Sequence, residues 1–369
     1  MKKKIAILLP YKDHFTNSKA GSASIWVKDF NKKSFYKNTS YVCGFTENLD
    51  DLITKKNYLN LNFKSKTFQS KNASYVDEFI KLNSKHKFSL VEIHNRPSYV
   101  NYLVKKKIGL KIILIFHNNP LNLGGSKTVS ERIELIECCD KLIFVSNWVK
   151  EKFFEGLKKN NTNKCMVIHP SISPIKVFPR KKNIISFVGK LNKSKGFHIF
   201  GSAIIKILNK YSNWSSVVIG DEPREKYNFK HKNLLYKGWI SHKKTLDLYN
   251  QTSISVVPSF WDEPFGRTAM EAASRGCATI ISKKGGLIET ISDTLYLPKL
   301  NTKSLFKKID FLIKNTNKRI KLQNKSFKNV LHDLEKNTRR IDNYRNDVLK
   351  VHLFNHIKKN NLKIIHISN

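Results

Sequence analysis

Ser253-Ile-Ser-Val-Val-Pro-Ser-Phe-Trp-Asp-Glu263-Pro-Phe-Gly-Arg-Thr-Ala-Met-Glu271 runs on through Ala272-Ala-Ser-Arg-Gly-Cys-Ala-Thr-Ile-Ile281 to Gly285-Gly286. The β-branched run at 254–257 reads as a buried strand, 258–266 as a loop and 267–274 as a helix. A second strand follows at 278–281, then the glycine pair and a further helix at 287–292. Strand, loop, helix, strand is the crossover of a parallel sheet, whose loops at the carboxyl edge hold ligands. Glu263 falls in that loop. Pro264 and Gly266 suit a tight helix entry, and the amides that follow, at Arg267 and Thr268, have no partner within the helix. Glu271 lies about a turn and a half into the helix and can look back at the same edge. Two glutamates spaced Glu-x7-Glu are by themselves an everyday feature of a solvated helix, so the weight rests on their surroundings.

The same alternation extends in both directions. In the second half, strands are expected at 184–188, 216–219 and 234–236, with helices at 197–210 and 243–250. In the first half, strands are expected at 5–9, 90–93, 112–116 and 142–145, with helices opening near Ser24 and covering 129–137. Between the two series stand Pro170, Pro174 and Pro179 and the basic run Arg180-Lys181-Lys182, an expected inter-domain linker because proline ends helices and biases its neighbours to extended backbone. The expectation is α/β: two Rossmann-like doubly wound domains facing each other across a cleft. They cover 1–172 and 173–336, and a polar helical segment at 337–369 crosses back to the first domain.

At the quoted stretch the chain resembles the family-4 (group 1) retaining glycosyltransferases of the GT-B fold. Pro258-Ser259, Glu263-Pro-Phe265-Gly266, a helix opening into Glu271-Ala272, and the glycines that follow stand in that family's order. Upstream, Phe187-Val-Gly189-Lys190-Leu-Asn-Lys-Ser-Lys195-Gly196 is similar to the family's strand and loop in which a glycine precedes a basic pair on the donor diphosphate. Lys190 stands where arginine is usual, keeping the charge but not the bidentate fork. Val218-Ile-Gly-Asp221 and Tyr236-Lys-Gly-Trp-Ile240 resemble the next strand ends. Lys19-Ala-Gly21-Ser-Ala-Ser24 resembles the loop that opens the first helix, where Gly21 would admit phosphate. Val91-Glu-Ile-His94 and Ile115-Phe-His117-Asn118 match strand ends of the acceptor-side domain. The resemblance spans about 4 to 345 and leaves 353–369 without a counterpart.

The resemblance implies a hexosyltransferase acting with retention on a nucleotide-diphosphate sugar, which is a co-substrate rather than a cofactor. Glu263 and His94 would be catalytic. Gly21, Gly189, Lys190, Lys195, Phe265, Gly266, Arg267, Thr268 and Glu271 would bind the donor, with His117 and Asn118 on the acceptor side. A glycan or lipid-linked, lipopolysaccharide-type acceptor is expected. No Asp-x-Asp and no His/Cys cluster of metal spacing is present in the sequence, so no metal is expected.

Composition bounds the alternatives. Hydrophobic residues, 40% of the chain, are spread evenly enough for a globular protein. No apolar run approaches the ~20 residues of a membrane span, and the run at 5–9 is cut by Pro10 before it could serve as a leader. The five cysteines are odd in number, without a Cys-x-x-Cys pair, which suits a cytoplasmic location. The formal charge of +40 is spread over both halves and densest after 299. Such a surface attracts any polyanion, so peripheral contact with an anionic membrane is expected. No nucleic-acid module is recognisable and no specific nucleic-acid binding is expected. A dinucleotide oxidoreductase is excluded because no Gly-x-Gly-x-x-Gly follows the first strand. A non-catalytic polyanion-binding protein that retains the GT-B fold is the alternative from another class.

Overall fold

The computed structural model describes residues 3–64, 67–158 and 163–350; residues 353–369 lie outside them. The first sheet is built from β1 (Ile5–Leu8), β2 (Ser40–Gly44), β3 (Tyr58–Asn60), β4 (Leu90–His94), β5 (Lys111–Phe116), β6 (Lys141–Phe144) and β7 (Cys165–Val167). The second comprises β8 (Lys182–Val188), β9 (Ser215–Ile219), β10 (Leu234–Tyr236), β11 (Thr252–Val257), β12 (Ala278–Ile281) and β13 (Leu295–Tyr296). The strand orders are β3-β2-β1-β4-β5-β6-β7 and β10-β9-β8-β11-β12-β13, and every ladder in both is parallel. Each sheet therefore has one reversal of strand order, at β1/β4 and at β8/β11, where crossovers leave opposite faces and open a crevice.

The helices follow from where apolar faces are needed. In the first domain they are α1 (Ser22–Lys33), α2 (Lys71–His86), α3 (Pro97–Lys105), α4 (Val129–Cys138) and α5 (Asn147–Phe154). In the second they are α6 (Phe197–Lys210), α7 (His242–Gln251), α8 (Arg267–Ser274), α9 (Thr302–Lys314) and α10 (Thr316–Lys328). Their ends are written locally: Thr128 accepts from the Glu131 amide at 3.2 Å while Glu131 accepts from the Thr128 amide at 2.9 Å, a reciprocal cap that starts α4. One face of the first sheet packs Tyr75, Phe79, Val100, Leu135 and Phe153 from α2 to α5. The other packs Trp26 and Phe30 of α1 together with Leu334, Ile341 and Val348.

Those last three belong to α11 (Leu334–Leu349), which returns from the second domain to lie against α1. Its sequence is polar because its buried face bonds as well as packs. Arg345, fully enclosed, donates from Nε and Nη2 to the two oxygens of Glu92 on β4, each at 2.7 Å, and from Nη1 to Asp342 at 2.9 Å and Ser34 at 2.7 Å. Burial would lower the guanidinium pKa, but the Glu92 and Asp342 carboxylates overcome this and raise it. The helix expected at 287–292 is instead a single 3₁₀ turn, Gly286–Glu289. Among the described residues no helix is long and apolar enough to cross a membrane.

Candidate active site

The carboxyl edges of β1, β4 and β5 face those of β8, β9 and β11, and the loops they carry enclose two cavities with a common wall. The first, of about 270 Å³, is lined by His117, Asn118, Lys195, Trp261, Glu263 and Phe265, among others. The second, of about 350 Å³, is lined by Gly21, Lys190, Trp239, His242 and Glu271, among others. Ser22, Val188, Gly189, Lys195, Arg267 and Thr268 border both. The two glutamates of the Glu-x7-Glu spacing thus serve different compartments, and a basic waist of Lys195 and Arg267 joins them.

Glu263 is held rigidly. Lys195 Nζ donates to both of its oxygens, at 2.7 and 2.8 Å, and Ser259 Oγ donates to Oε1. Its carbonyl accepts from the Gly286 amide at 2.7 Å. The loop reaches α8 through Gly266, whose φ of +104° suits glycine, and where a Cβ would come within 2.4 Å of Leu287 Cδ1. No side chain caps α8, so its first amides, at Arg267 and Thr268, open on the waist.

Glu271 is enclosed at the other end. His242 Nε2 lies 2.9 Å from Oε1, which also accepts from Arg267 Nε at 3.2 Å. Burial would raise the Glu271 pKa, but His242 and Arg267 outweigh it and hold the carboxyl below its usual range. Arg267 Nη2 also donates to Asp29 on α1 at 3.1 Å, tying the waist to the first domain. Trp239 Nε1 donates to the Ser18 carbonyl at 2.7 Å across the second cavity. The exposed Lys190 borders that cavity.

Two of the residues expected from sequence are placed differently from that reading. His94, expected at the cleft, is fully buried and borders neither cavity. Its Nδ1 lies 2.9 Å from Nε2 of His117, which does form the cavity wall. Burial drives both pKa values down, with His117 also beside Arg267 and pushed to about 3, which favours the neutral rings. His117 is therefore the histidine that can touch a ligand, and His94 stands behind it. Gly21 borders the second cavity, but its amide already donates to Asp13 Oδ1 at 3.2 Å, and Ser24 Oγ donates to the same oxygen at 2.7 Å. The start of α1 carries its own anion, and a Cβ on Gly21 would meet that carboxylate at 2.7 Å.

His242 and Asp29 were not among the expected site residues because each acts through a distant partner, Glu271 and Arg267, and neither were Ser259 and Asp13, whose partners Glu263, Gly21 and Ser24 lie close in sequence. Of these, Ser259 lies inside the quoted stretch and His242 just after Tyr236-Lys-Gly-Trp-Ile240. Asn95 escaped likewise: it adopts φ of +55° and accepts from the His117 and Asn118 amides at 3.1 and 3.0 Å, shaping that loop. Among the described residues no cluster of His, Cys, Asp or Glu could hold a metal ion.

Residues 169–329 match the family model described as glycosyl transferases group 1. Spore coat protein SA of Bacillus subtilis is 25% identical over 241 residues, 57% of this chain and 63% of that protein. The chain spans about three fifths of the length of this relative and of a second from the same organism. Among solved structures, HepE of Anabaena in complex with UDP and glucose superposes with a TM-score of 0.74 at 14% identity, covering 93% of this chain and 100% of that one. WaaG, a glycosyltransferase involved in lipopolysaccharide biosynthesis, gives 0.65 at 13% identity, covering 92% and 98%. The second domain therefore matches the glycosyl transferases group 1 model, and the chain as a whole shares the GT-B fold of these structures.

Proposed function

We propose that the protein is a retaining, family-4 type glycosyltransferase that moves a hexose-type sugar from a nucleotide-diphosphate sugar to a glycan or a lipid-linked, lipopolysaccharide-type acceptor. The observation that carries this reading is the pair of cavities joined at a cationic waist. A nucleoside fits the second cavity, with its ribose hydroxyls donating to Glu271. The diphosphate lies at the waist, against Lys190, Lys195, Arg267 and the open amides of α8. The sugar then enters the first cavity, beside Glu263 and His117, and the acceptor approaches past Asn118 and Trp261. That a protein of the same fold is seen in complex with UDP and glucose supports a nucleotide and a sugar as ligands of this cleft.

Cleavage of the sugar–phosphate bond leaves positive charge on the sugar and negative charge on the departing diphosphate. Fixed cations and amides at the waist stabilise the second, and the Glu263 carboxylate faces the first. Lys195 touches both partners of that separation. Neutral His117 offers hydrogen bonds to sugar hydroxyls without competing as an acid. Incubation with a panel of nucleotide sugars and glycolipid acceptors tests the reading, which fails if no nucleoside diphosphate is released.

Three expected results follow from this placement. Glu271→Gln keeps an oxygen for Arg267 or His242 but loses the charge facing ribose. It should weaken nucleoside diphosphate binding in calorimetry by about 1–3 kcal/mol, with little change in kcat once donor is saturating; wild-type affinity would remove Glu271 from the donor site. Because cationic side chains and amides meet the diphosphate, activity should persist in EDTA. Loss there, restored by Mg²⁺ or Mn²⁺ alone, would contradict the assignment of the waist. The basic surface, including Lys32, Lys33 and Lys105 to Lys107 of the first domain, suits a peripheral position on the cytoplasmic membrane face. Binding to anionic vesicles should then fall steeply with salt, and equal binding to neutral vesicles would exclude that position.

A further inference from the structure

The second domain reaches into the first at one carboxylate that no part of the proposed chemistry uses. Glu289 closes the 3₁₀ turn after β12, and its side chain lies at the start of α5 in the first domain. Oε2 accepts from the Asn147 amide at 2.8 Å, the Asn147 side chain at 2.9 Å and His169 Nε2 at 3.0 Å, while Oε1 accepts from the Trp148 amide at 2.9 Å. The first amides of a helix have no partner inside it and carry its positive end. Those of α5 are satisfied by a residue about 140 positions later in sequence, from the other domain. Burial would raise the Glu289 pKa, but His169 and the two amides hold it below its usual range.

The same turn supports the Glu263 loop. Gly285 pairs with Glu263 in a parallel bridge, and a Cβ on Gly285 would come within 2.4 Å of the Glu263 carbonyl oxygen. From the first domain, Ser146, which caps α5, donates to the Pro264 carbonyl. Behind them His332 Nε2 donates to the Glu289 carbonyl at 2.7 Å and stacks on His169 at 4.5 Å, with Phe265 against both rings. The loop that carries Glu263, the turn that carries Glu289 and the start of α5 are thus joined by Glu289 together with the Ser146–Pro264 hydrogen bond and the Gly285–Glu263 bridge.

We propose that Glu289 is a positioning residue: by capping α5 across the domain boundary it latches the two domains together and fixes the Glu263 loop for transfer. This rests on the glycosyl-transfer reading above for its kinetic consequence but not for its structural one. Glu289→Gln replaces one acceptor oxygen by an amide donor that faces other donors. His169→Gln keeps a donor toward the carboxylate, whereas His169→Ala removes it.

The test uses the full chain with spin labels on the exposed Cys138 and on a cysteine introduced by Lys232→Cys. Inter-domain distances are read by double electron–electron resonance, beside kcat and calorimetric affinity for UDP, GDP and ADP in turn. The expected result for Glu289→Gln is a broadened distance distribution and a kcat at least about tenfold lower, with nucleotide affinity within about twofold because the second cavity is untouched. His169→Ala should move the same way and His169→Gln should restore most of the loss. An unchanged distance distribution and kcat in Glu289→Gln overturn the proposal, as does a parallel loss of kcat and nucleotide affinity at unchanged distance. If the wild type transfers no sugar, the functional reading fails and the distance distribution alone decides the latch.

Discussion

Replacing Glu263 by Gln should reduce kcat by about 10²-fold or more while leaving nucleoside diphosphate affinity nearly unchanged. The carboxylate sits in the first cavity, away from the nucleoside compartment, and Lys195 and Ser259 hold it in one orientation. A preorganised charge of this kind acts where charge develops, and a single such group is worth about 3–4 kcal/mol in the transition state. Interactions that strengthen only then appear in kcat and not in ground-state binding. Gln preserves volume, so packing of the loop against Gly285 and Gly286 is retained. Lys195→Ala should be equally severe for a second reason: it removes a cation from the waist and leaves Glu263 buried with one side-chain donor. Steady-state kinetics beside calorimetry on both variants check this, and a Glu263→Gln enzyme with wild-type kcat would place the chemistry elsewhere.

The second large effect concerns stability. Arg345→Met should destabilise the protein by about 3–5 kcal/mol, because breaking a buried ion pair strands the opposite charge. Here Glu92 would be stranded, while Asp342 would keep only its bonds from Ser34 Oγ and the Phe35 amide, and Ser34 would lose a partner. The double variant Glu92→Leu with Arg345→Met should recover part of that loss, since an apolar pair of similar volume needs no solvation. Urea unfolding of wild type, single and double variants reads the coupling. Strictly additive losses would mean that the pair does not anchor α11 to the first domain.

Such a helix shows why part of the fold was hidden. The sequence reading sends a polar helical segment back to the first domain without saying which side of it is covered, and only the tertiary structure shows that Asn337, Asp342, Arg345 and Asn346 are its buried side. Most central strands were legible because parallel strands covered on both faces are nearly continuous apolar runs: 184–188 and 254–257 fall within β8 and β11, whereas β2, whose Ser40-Tyr-Val-Cys-Gly44 breaks the apolar run, was not expected. β3, β7 and β13 were not, being edge strands of two or three half-covered residues without a pattern to read. At the candidate site the sequence order placed Glu263, Lys195 and Glu271 near one another, since loops at one sheet edge must converge. It put His94 rather than His117 at the chemistry, because two strand-end histidines look alike in sequence; Trp26 of α1 packs against both rings, and only the tertiary structure shows that His117 is the one on the cavity wall. Glu289 was invisible for a different reason: its partners are backbone amides of the other domain.

The central claim is that one cleft binds a nucleotide-diphosphate sugar across its waist and transfers the sugar. It is tested most directly by measuring acceptor-dependent release of nucleoside diphosphate from a panel of nucleotide sugars, with the anomeric configuration of the product read by NMR. The expected result is turnover of one donor class with retained configuration, falling about 10²-fold in Glu263→Gln. Inversion would contradict the retaining assignment, and wild-type turnover in both Glu263→Gln and Lys195→Ala would contradict the site itself.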